Sequence, residues 1–159
     1  MDDRELIESL HYLGIDENNC RVIALLPLAR VAWADGGIQP AERAVILSIA
    51  KDGGFVDDET ERTLTGWLTN APSDTYFARG SQVLVALARR GGAHPSNVDA
   101  ATIDAVLGYC ETVARAAGGL FGLAFAVSRS EREAMAEIAR ALRMDPNDAS
   151  WTDLVNETN

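Results

Sequence analysis

Four pairs of adjacent glycines divide this sequence, and each pair follows an apolar stretch whose residues have helical spacing. The pairs begin at Gly36, Gly53, Gly91 and Gly118. Glycine readily adopts the left-handed conformation in which many helices end. Between the pairs, apolar residues recur at the three- and four-residue intervals of a helix, without the alternation typical of strands. The chain is therefore predicted to be all-α.

Start and stop signals predict a compact bundle of about seven to eight helices. The first predicted helix is a short one within 1–15 (Leu6, Leu10, Leu13), the second is Glu17–Asp35 capped by Asp16, and the third runs from Pro40 to Gly53. The fourth is capped by Asp58 with Glu61, and the fifth begins at Ser73 or Asp74. The sixth runs from Ser96 or Asn97 to Gly118, the seventh from Ser128 through Leu142, and the last from Asp145 to Leu154. Pro27 should kink or split the second helix, because proline cannot donate a backbone hydrogen bond.

The 159 residues fit one domain, 1–159. Residues 120–127 are predicted to form a packed loop and 156–159 a frayed tail. The two cysteines, Cys20 and Cys110, are predicted to be small buried hydrophobes, and the three tryptophans are predicted to be core or half-buried anchors.

The formal net charge of −10 argues against nucleic acid and anionic lipid as partners and favours cations or basic proteins. No segment has the roughly 18 consecutive apolar residues of a membrane-spanning helix, so we expect no direct membrane insertion. The acidic start of the sequence does not resemble a signal peptide. We therefore expect a cytoplasmic protein.

Residues 31–42, VAWADGGIQPAE, are followed by Ile46 and by Ile49-Ala50. This segment resembles the signature of the TerB tellurite-resistance family. Residues 118–122, GGLFG, with Ser128 to Glu131 and Ile138-Ala139, resemble the second-half motif of some members. The pairs that begin at Glu42 and Ile49 recur at Glu131 and Ile138 with the same offset of 89 residues.

The resemblance implies an all-helical fold in two pseudo-repeated halves. It also implies a non-catalytic bacterial protein of a stress-response or tellurite-resistance system, with other proteins of that system as partners. Acidic residues at the repeat starts are suspected metal ligands in the family, which carries over to Asp35, Glu42 and Glu131. The position that matches Asp35 in the second half is Ala124, so the sequence departs from a symmetrical metal arrangement.

The residues themselves allow a cation site but not a calcium EF-hand. The ligand positions before Asp35 would be Val31 and Trp33, and neither side chain offers the oxygen that an EF-hand loop needs there. The carboxylates of Asp35, Glu42 and Glu131, together with backbone carbonyls of the glycine turn, could hold Ca²⁺, Mg²⁺ or Mn²⁺.

A purely structural interpretation remains open. Glu42 and Glu131 each lie near a predicted helix start, where a carboxylate stabilises exposed N–H groups and, at Glu131, forms a capping box with Ser128. Asp35 is predicted to end a helix, where its charge opposes the helix dipole. It could instead cap the following helix by reaching across the glycines.

Two other function classes compete with cation binding. An acidic helical bundle could be a protein–protein adaptor with no metal role. A hydrolase could use Asp35 and Glu42 as a carboxylate pair. However, no nucleophile candidate neighbours His11 or His94, and no recognised catalytic motif occurs in the sequence. We therefore do not expect an enzyme.

Overall fold

The computed structural model of the chain describes residues 1–118 and 127–143. All regular secondary structure in these residues is helical, which confirms the predicted all-α class. The elements are α1 (Asp3–Tyr12), a 3₁₀ helix (Cys20–Leu25), α2 (Leu26–Ala32), α3 (Pro40–Asp52), α4 (Asp58–Thr69), α5 (Asp74–Ala88), α6 (Ala100–Gly118) and α7 (Arg129–Leu142). The division into two repeated halves stays a prediction.

The predicted helix Glu17–Asp35 is wrong in its bounds, but its predicted split near Pro27 is confirmed. A 3₁₀ helix and then α2 occupy this stretch, and Pro27 lies in the first turn of α2. The first N–H groups of a helix have no acceptor within the helix, so proline loses nothing there. Asp16 does not cap a long helix. Its Oδ1 accepts hydrogen bonds from the N–H groups of Asn18 and Asn19 in a local turn, at 2.7 and 3.3 Å.

The predicted cap of α4 is displaced by one residue. Asp57, and not Asp58, is the N-cap, because its Oδ1 accepts the N–H groups of Glu59 and Thr60 at 3.1 and 3.0 Å. Thr60 takes the place of the predicted Glu61, and its hydroxyl accepts the Asp57 N–H. These bonds to the ionised form lower the pKa of the Asp57 carboxyl.

The predicted start of α5 is confirmed, whereas the predicted start of α6 is wrong. Ser73 caps α5, which confirms one of the two predicted residues. Neither Ser96 nor Asn97 starts α6. The start is fixed by Asp99, whose Oδ1 accepts the N–H of Thr102 at 2.8 Å. Asn97 lies in the preceding loop with a left-handed φ of 54°, a conformation that asparagine tolerates better than most residues.

Helix α2 lies at the centre of the bundle. All its residues are buried except Arg30, which is half-buried and reaches Asp74 of α5 and Glu137 of α7 at 3.1 and 3.3 Å. It packs on α3, α4, α5, α6 and α7. A helix that is apolar on every side is stable only when surrounded. The turn after α2, which contains Asp35, therefore leaves the middle of the bundle close to several helices.

The predictions for cysteine and tryptophan are confirmed where the structure describes them. Cys20, Cys110 and Trp67 are buried, and Trp33 is half-buried. The Trp33 Nε1 atom donates to the Trp67 carbonyl at 2.8 Å, and the Arg43 guanidinium donates to the next carbonyl along α4. The last carbonyls of a helix have no N–H donor within the helix, so the two donating side chains satisfy carbonyls at the end of α4.

Some predictions lie outside the described residues. They are most of the packed loop 120–127, the position Ala124, the last helix from Asp145 to Leu154, Trp151 and the tail 156–159.

In residues 1–118 and 127–143, no helix has the length and apolar character needed to cross a membrane.

Candidate cation site

Glu42 and Glu131 occupy the same place in two different helices, the third residue of α3 and of α7. The Oε2 atom of Glu42 accepts the N–H of Gln39, the N-cap of α3, at 2.7 Å. The Oε2 atom of Glu131 accepts the N–H of Ser128, the N-cap of α7, also at 2.7 Å. A carboxylate that reaches back to its own N-cap is half of a capping box. The predicted structural role of both residues is therefore present.

Capping does not explain the burial of these two side chains. Each is only 2% exposed, whereas a capping carboxylate functions equally well in contact with water. Glutamate is almost never fully buried without a partner, because removing its charge from water is costly. Each carboxyl group is therefore removed from water while it accepts one hydrogen bond from its own N-cap.

The two carboxyl groups meet each other. Burial is the main cause that raises the pKa of Glu42, to about 7. The Gln39 N–H opposes the rise by stabilising the charged form, and a hydrogen bond with Glu131 and its negative charge add to it. The charge of Asp35 acts in the same direction. Three acidic residues, of which Glu131 is remote in sequence from the other two, thus act on one small region.

One oxygen of this pair is unsatisfied. The Oε1 atom of Glu131 is buried and has no hydrogen-bond partner among the described residues. When Glu42 carries a proton, the two carboxyl groups can share it. A buried acceptor without a partner costs about 1–3 kcal/mol. Either a proton or a cation would remove that cost.

Asp35 lies beside the pair in an exposed turn, three residues beyond the end of α2. The turn continues through Gly36, whose φ of +86° is one that glycine adopts without strain. The Oδ1 atom of Asp35 accepts a hydrogen bond from the Ser128 hydroxyl at 3.0 Å. The suggestion that Asp35 caps the following helix, α3, is therefore wrong. Asp35 is bound to the N-cap of α7.

The three residues do not converge on one point. Among the described residues, no group of three or more His, Cys, Asp and Glu side chains has an arrangement that could hold a metal ion. Glu131 is close enough to Glu42 to raise the pKa of that carboxyl group, while Asp35 is joined to Glu131 through Ser128. The three predicted ligands are thus placed as a buried pair with a third carboxylate next to it, and whether they bind a cation stays a prediction.

Ser128 is the residue whose place in the site the sequence did not reveal. The sequence predicts it only as the cap of α7, and the structure confirms that role, since its Oγ accepts the Glu131 N–H at 3.1 Å. No local signal could show that the same hydroxyl also donates to Asp35, because that bond depends on the packing of α7 against the end of α2.

The histidines have no place at this site. His11 is exposed at the end of α1. His94 lies in the loop before α6, where its Nδ1 accepts the Ser96 N–H at 3.1 Å. Burial is the main cause that lowers the pKa of His94. Neither imidazole is available to assist the carboxyl pair.

Comparison of the chain with protein-family models, with curated proteins and with solved structures finds no match. Membership of the TerB family therefore stays a prediction based on residues 31–42 and on their second-half counterpart.

Proposed function

We propose that this chain is a non-catalytic, TerB-like protein of the tellurite-resistance type, and that Glu42 and Glu131 hold a hard divalent cation with Asp35 beside them. The observation that carries the proposal is the Oε1 atom of Glu131. It is buried, lacks a partner among the described residues, and adjoins a second buried carboxyl group.

The donor set defines the class of cation. Carboxylate oxygens favour Mg²⁺, Ca²⁺ and Mn²⁺ over the softer metals that thiolate and imidazole bind. Ca²⁺ takes about six to eight oxygen ligands, whereas Mg²⁺ is commonly held by one or two carboxylates and several waters. Two glutamates that each spend one oxygen on a helix cap fit Mg²⁺ or Mn²⁺ better than Ca²⁺.

Access from solvent passes the outer pair of residues. Asp35 is exposed and Ser128 is half-buried, whereas Glu42 and Glu131 are buried behind them. A cation that approaches from water therefore meets the Asp35 carboxylate first. The negative charge of the whole protein, −10, raises the local concentration of cations around it.

Titration with Mn²⁺, followed by the electron paramagnetic resonance signal of the free ion, tests the proposal. We expect one binding site per chain in the wild type. In Glu131→Gln we expect Mn²⁺ binding to weaken at least about tenfold, because a neutral amide replaces a charged ligand. Removing a group that merely orients a metal ligand already lowers metal affinity by about that factor. Glutamine keeps an oxygen for the Ser128 N–H, so the cap survives. Circular dichroism checks that the variant folds.

Glu133→Gln is the matched control. Glu133 lies on the same helix, its side chain is 64% exposed, and it pairs with Arg129 at its own surface. This variant removes the same charge and should bind Mn²⁺ like the wild type. Absence of binding at millimolar Mn²⁺, or equal affinities in wild type and Glu131→Gln, would rule the site out.

The adaptor interpretation predicts a different result. An acidic module that docks a protein partner without metal would show no dependence on Glu131 in the Mn²⁺ titration. In that case a proton shared between the two carboxyl groups would satisfy Glu131 Oε1. The buried pair would then serve only to stabilise the packing of α3 against α7.

A further inference from the structure

The hydroxyl of Ser128 is used twice. Its oxygen accepts the Glu131 N–H at 3.1 Å, as an N-cap does, and its proton is donated to Asp35 Oδ1 at 3.0 Å. A serine hydroxyl has one donor and two acceptor sites, so both bonds form together. Capping α7 requires only the acceptor. The donor is directed to a residue 93 positions away in the sequence.

This bond is the one that holds the Asp35 side chain in place. It is the only hydrogen bond that this carboxylate makes among residues 1–118 and 127–143. Asp35 is exposed, in the turn that follows α2, where the Gly36 N–H donates to the Trp33 carbonyl at 2.9 Å. A side chain in such a turn samples several rotamers, and fixing it costs conformational entropy. The hydrogen bond from Ser128 orders the Asp35 side chain before any ligand binds.

The same serine also orients Glu131. The Ser128 N–H donates to Glu131 Oε2 at 2.7 Å, which leaves Oε1 as the atom directed into the buried pair. One residue therefore fixes two of the three carboxylates, each through a separate hydrogen bond. Groups that bind metal ligands and fix their orientation typically change metal affinity by about 10–100-fold.

We infer that Ser128 is a positioning residue of the cation site, which holds Asp35 against the buried Glu42–Glu131 pair through its hydroxyl proton. The inference rests on the proposed function. It adds that the affinity for a hard divalent cation depends on the uncharged side chain of Ser128.

The test measures Mn²⁺ affinity in a double-mutant cycle with Ser128→Ala, Asp35→Ala and the pair together. We expect Ser128→Ala to weaken binding about tenfold. In the Asp35→Ala background the same substitution should have a much smaller effect, because the carboxylate that the hydroxyl positions is already gone. Ser128→Thr keeps both the donor and the acceptor and should restore binding.

Ser73→Ala controls for the loss of a helix cap. Ser73 caps α5 by accepting the Tyr76 N–H at 3.1 Å, so its substitution also lowers the melting temperature. It should leave Mn²⁺ affinity unchanged. A melting temperature lowered in both alanine variants, with affinity lowered only in Ser128→Ala, is the expected pattern.

Two results would overturn the inference. One is Mn²⁺ affinity in Ser128→Ala equal to that of the wild type. The other is an equal loss in the presence and absence of the Asp35 side chain, which would show that Ser128 acts only through the cap of α7. Both leave the proposed function standing, whereas a wild type that binds no Mn²⁺ would remove both proposals together.

Discussion

Glu42 and Glu131 lie 89 positions apart in the sequence, yet both are buried and the Glu131 carboxyl group helps to raise the pKa of Glu42. Each is tied to the first turn of its own helix by a bond of 2.7 Å from an N-cap N–H. Neither carboxyl can therefore move far without breaking a cap. The pair joins the starts of α3 and α7 and concentrates negative charge at their meeting point.

The first prediction concerns the pH dependence of stability. The pKa of Glu42 is raised to about 7 in the folded protein from an ordinary value of 4.5. A raised pKa means that the unfolded chain loses this proton first, so its contribution to stability is full below pH 4.5 and is lost as the pH rises through 7. In metal-free buffer, wild-type stability should fall by roughly 1–3 kcal/mol more than that of Glu42→Gln over this interval.

Urea unfolding at pH 5, 6, 7 and 8 measures this difference. Glu59→Gln, at an exposed position in the first turn of α4, controls for the change in net charge and should follow the wild type. Parallel curves for wild type and Glu42→Gln would show that the carboxyl pair does not govern stability in this range.

The second prediction concerns Gly80, in the middle of α5. A Cβ atom at this position would overlap Leu26 Cδ2 and contact Ile23 Cδ1, which are core side chains. Gly80→Ala gains about 1 kcal/mol of helix propensity but forces the packing of α5 on α2 apart. We expect a net destabilisation of about 1–2 kcal/mol, within the range of overpacked cores, measured by thermal or urea unfolding.

Gly66→Ala is the control for this substitution. Gly66 is an exposed residue within α4, and a Cβ atom there would meet nothing within 4 Å. It should stabilise the protein by about 0.5–1 kcal/mol. If both alanines stabilise, α5 is free to move away from α2.

The third prediction concerns the Tyr76 hydroxyl. It accepts the Trp67 Nε1–H at 3.0 Å and donates to the Leu13 carbonyl at 2.5 Å, which ties the end of α1 to α4 and α5. Tyr76→Phe leaves the indole donor of the buried Trp67 without this partner, and such losses cost about 1–3 kcal/mol. Urea unfolding followed by circular dichroism measures the effect.

Tyr109→Phe provides the comparison, since the Tyr109 ring packs edge-on against Phe55 and the hydroxyl has no hydrogen bond among the described residues. Its effect should be within about 0.5 kcal/mol of zero. Similar losses in the two variants would mean that ring packing, and not the hydroxyl, accounts for the Tyr76 result.

The fourth prediction concerns the two thiols. Cys20 and Cys110 are 3% and 1% exposed, and burial raises the pKa of both. A thiol-specific reagent should label them only as the protein opens. Cys110, in the middle of α6, should react more slowly than Cys20, the first residue of the 3₁₀ helix. Mass spectrometry of partly labelled protein distinguishes the sites, and rapid native labelling of Cys110 would contradict the buried position of α6.

The sequence predicted the fold class and the helix-start positions of Glu42 and Glu131 because both depend on local patterns. Helical spacing and glycine pairs identify helices, and a Glu at the third helical position is visible without a structure. The cap of α4 was predicted one residue too late, at Asp58 and not at Asp57, because both aspartates are good N-caps. Their competition is decided by backbone geometry at the start of α4.

The burial of Glu42 and Glu131 and the bond from Ser128 to Asp35 could not be predicted. Each depends on how two helices from distant parts of the chain pack together, and a single sequence contains no direct signal for that. Helix capping gave both glutamates a sufficient local explanation. Their 2% exposure is the feature that this local explanation does not predict.

The long separation between Glu42 and Glu131 also determines when the carboxyl pair can exist. During synthesis, α2 and α3 leave the ribosome well before α7, so Glu42 has no partner until Glu131 follows. Contacts between residues this far apart form late, because a long loop must first close. A chain interrupted before α7 could still form several helices, but it would lack the buried pair and with it the proposed cation site.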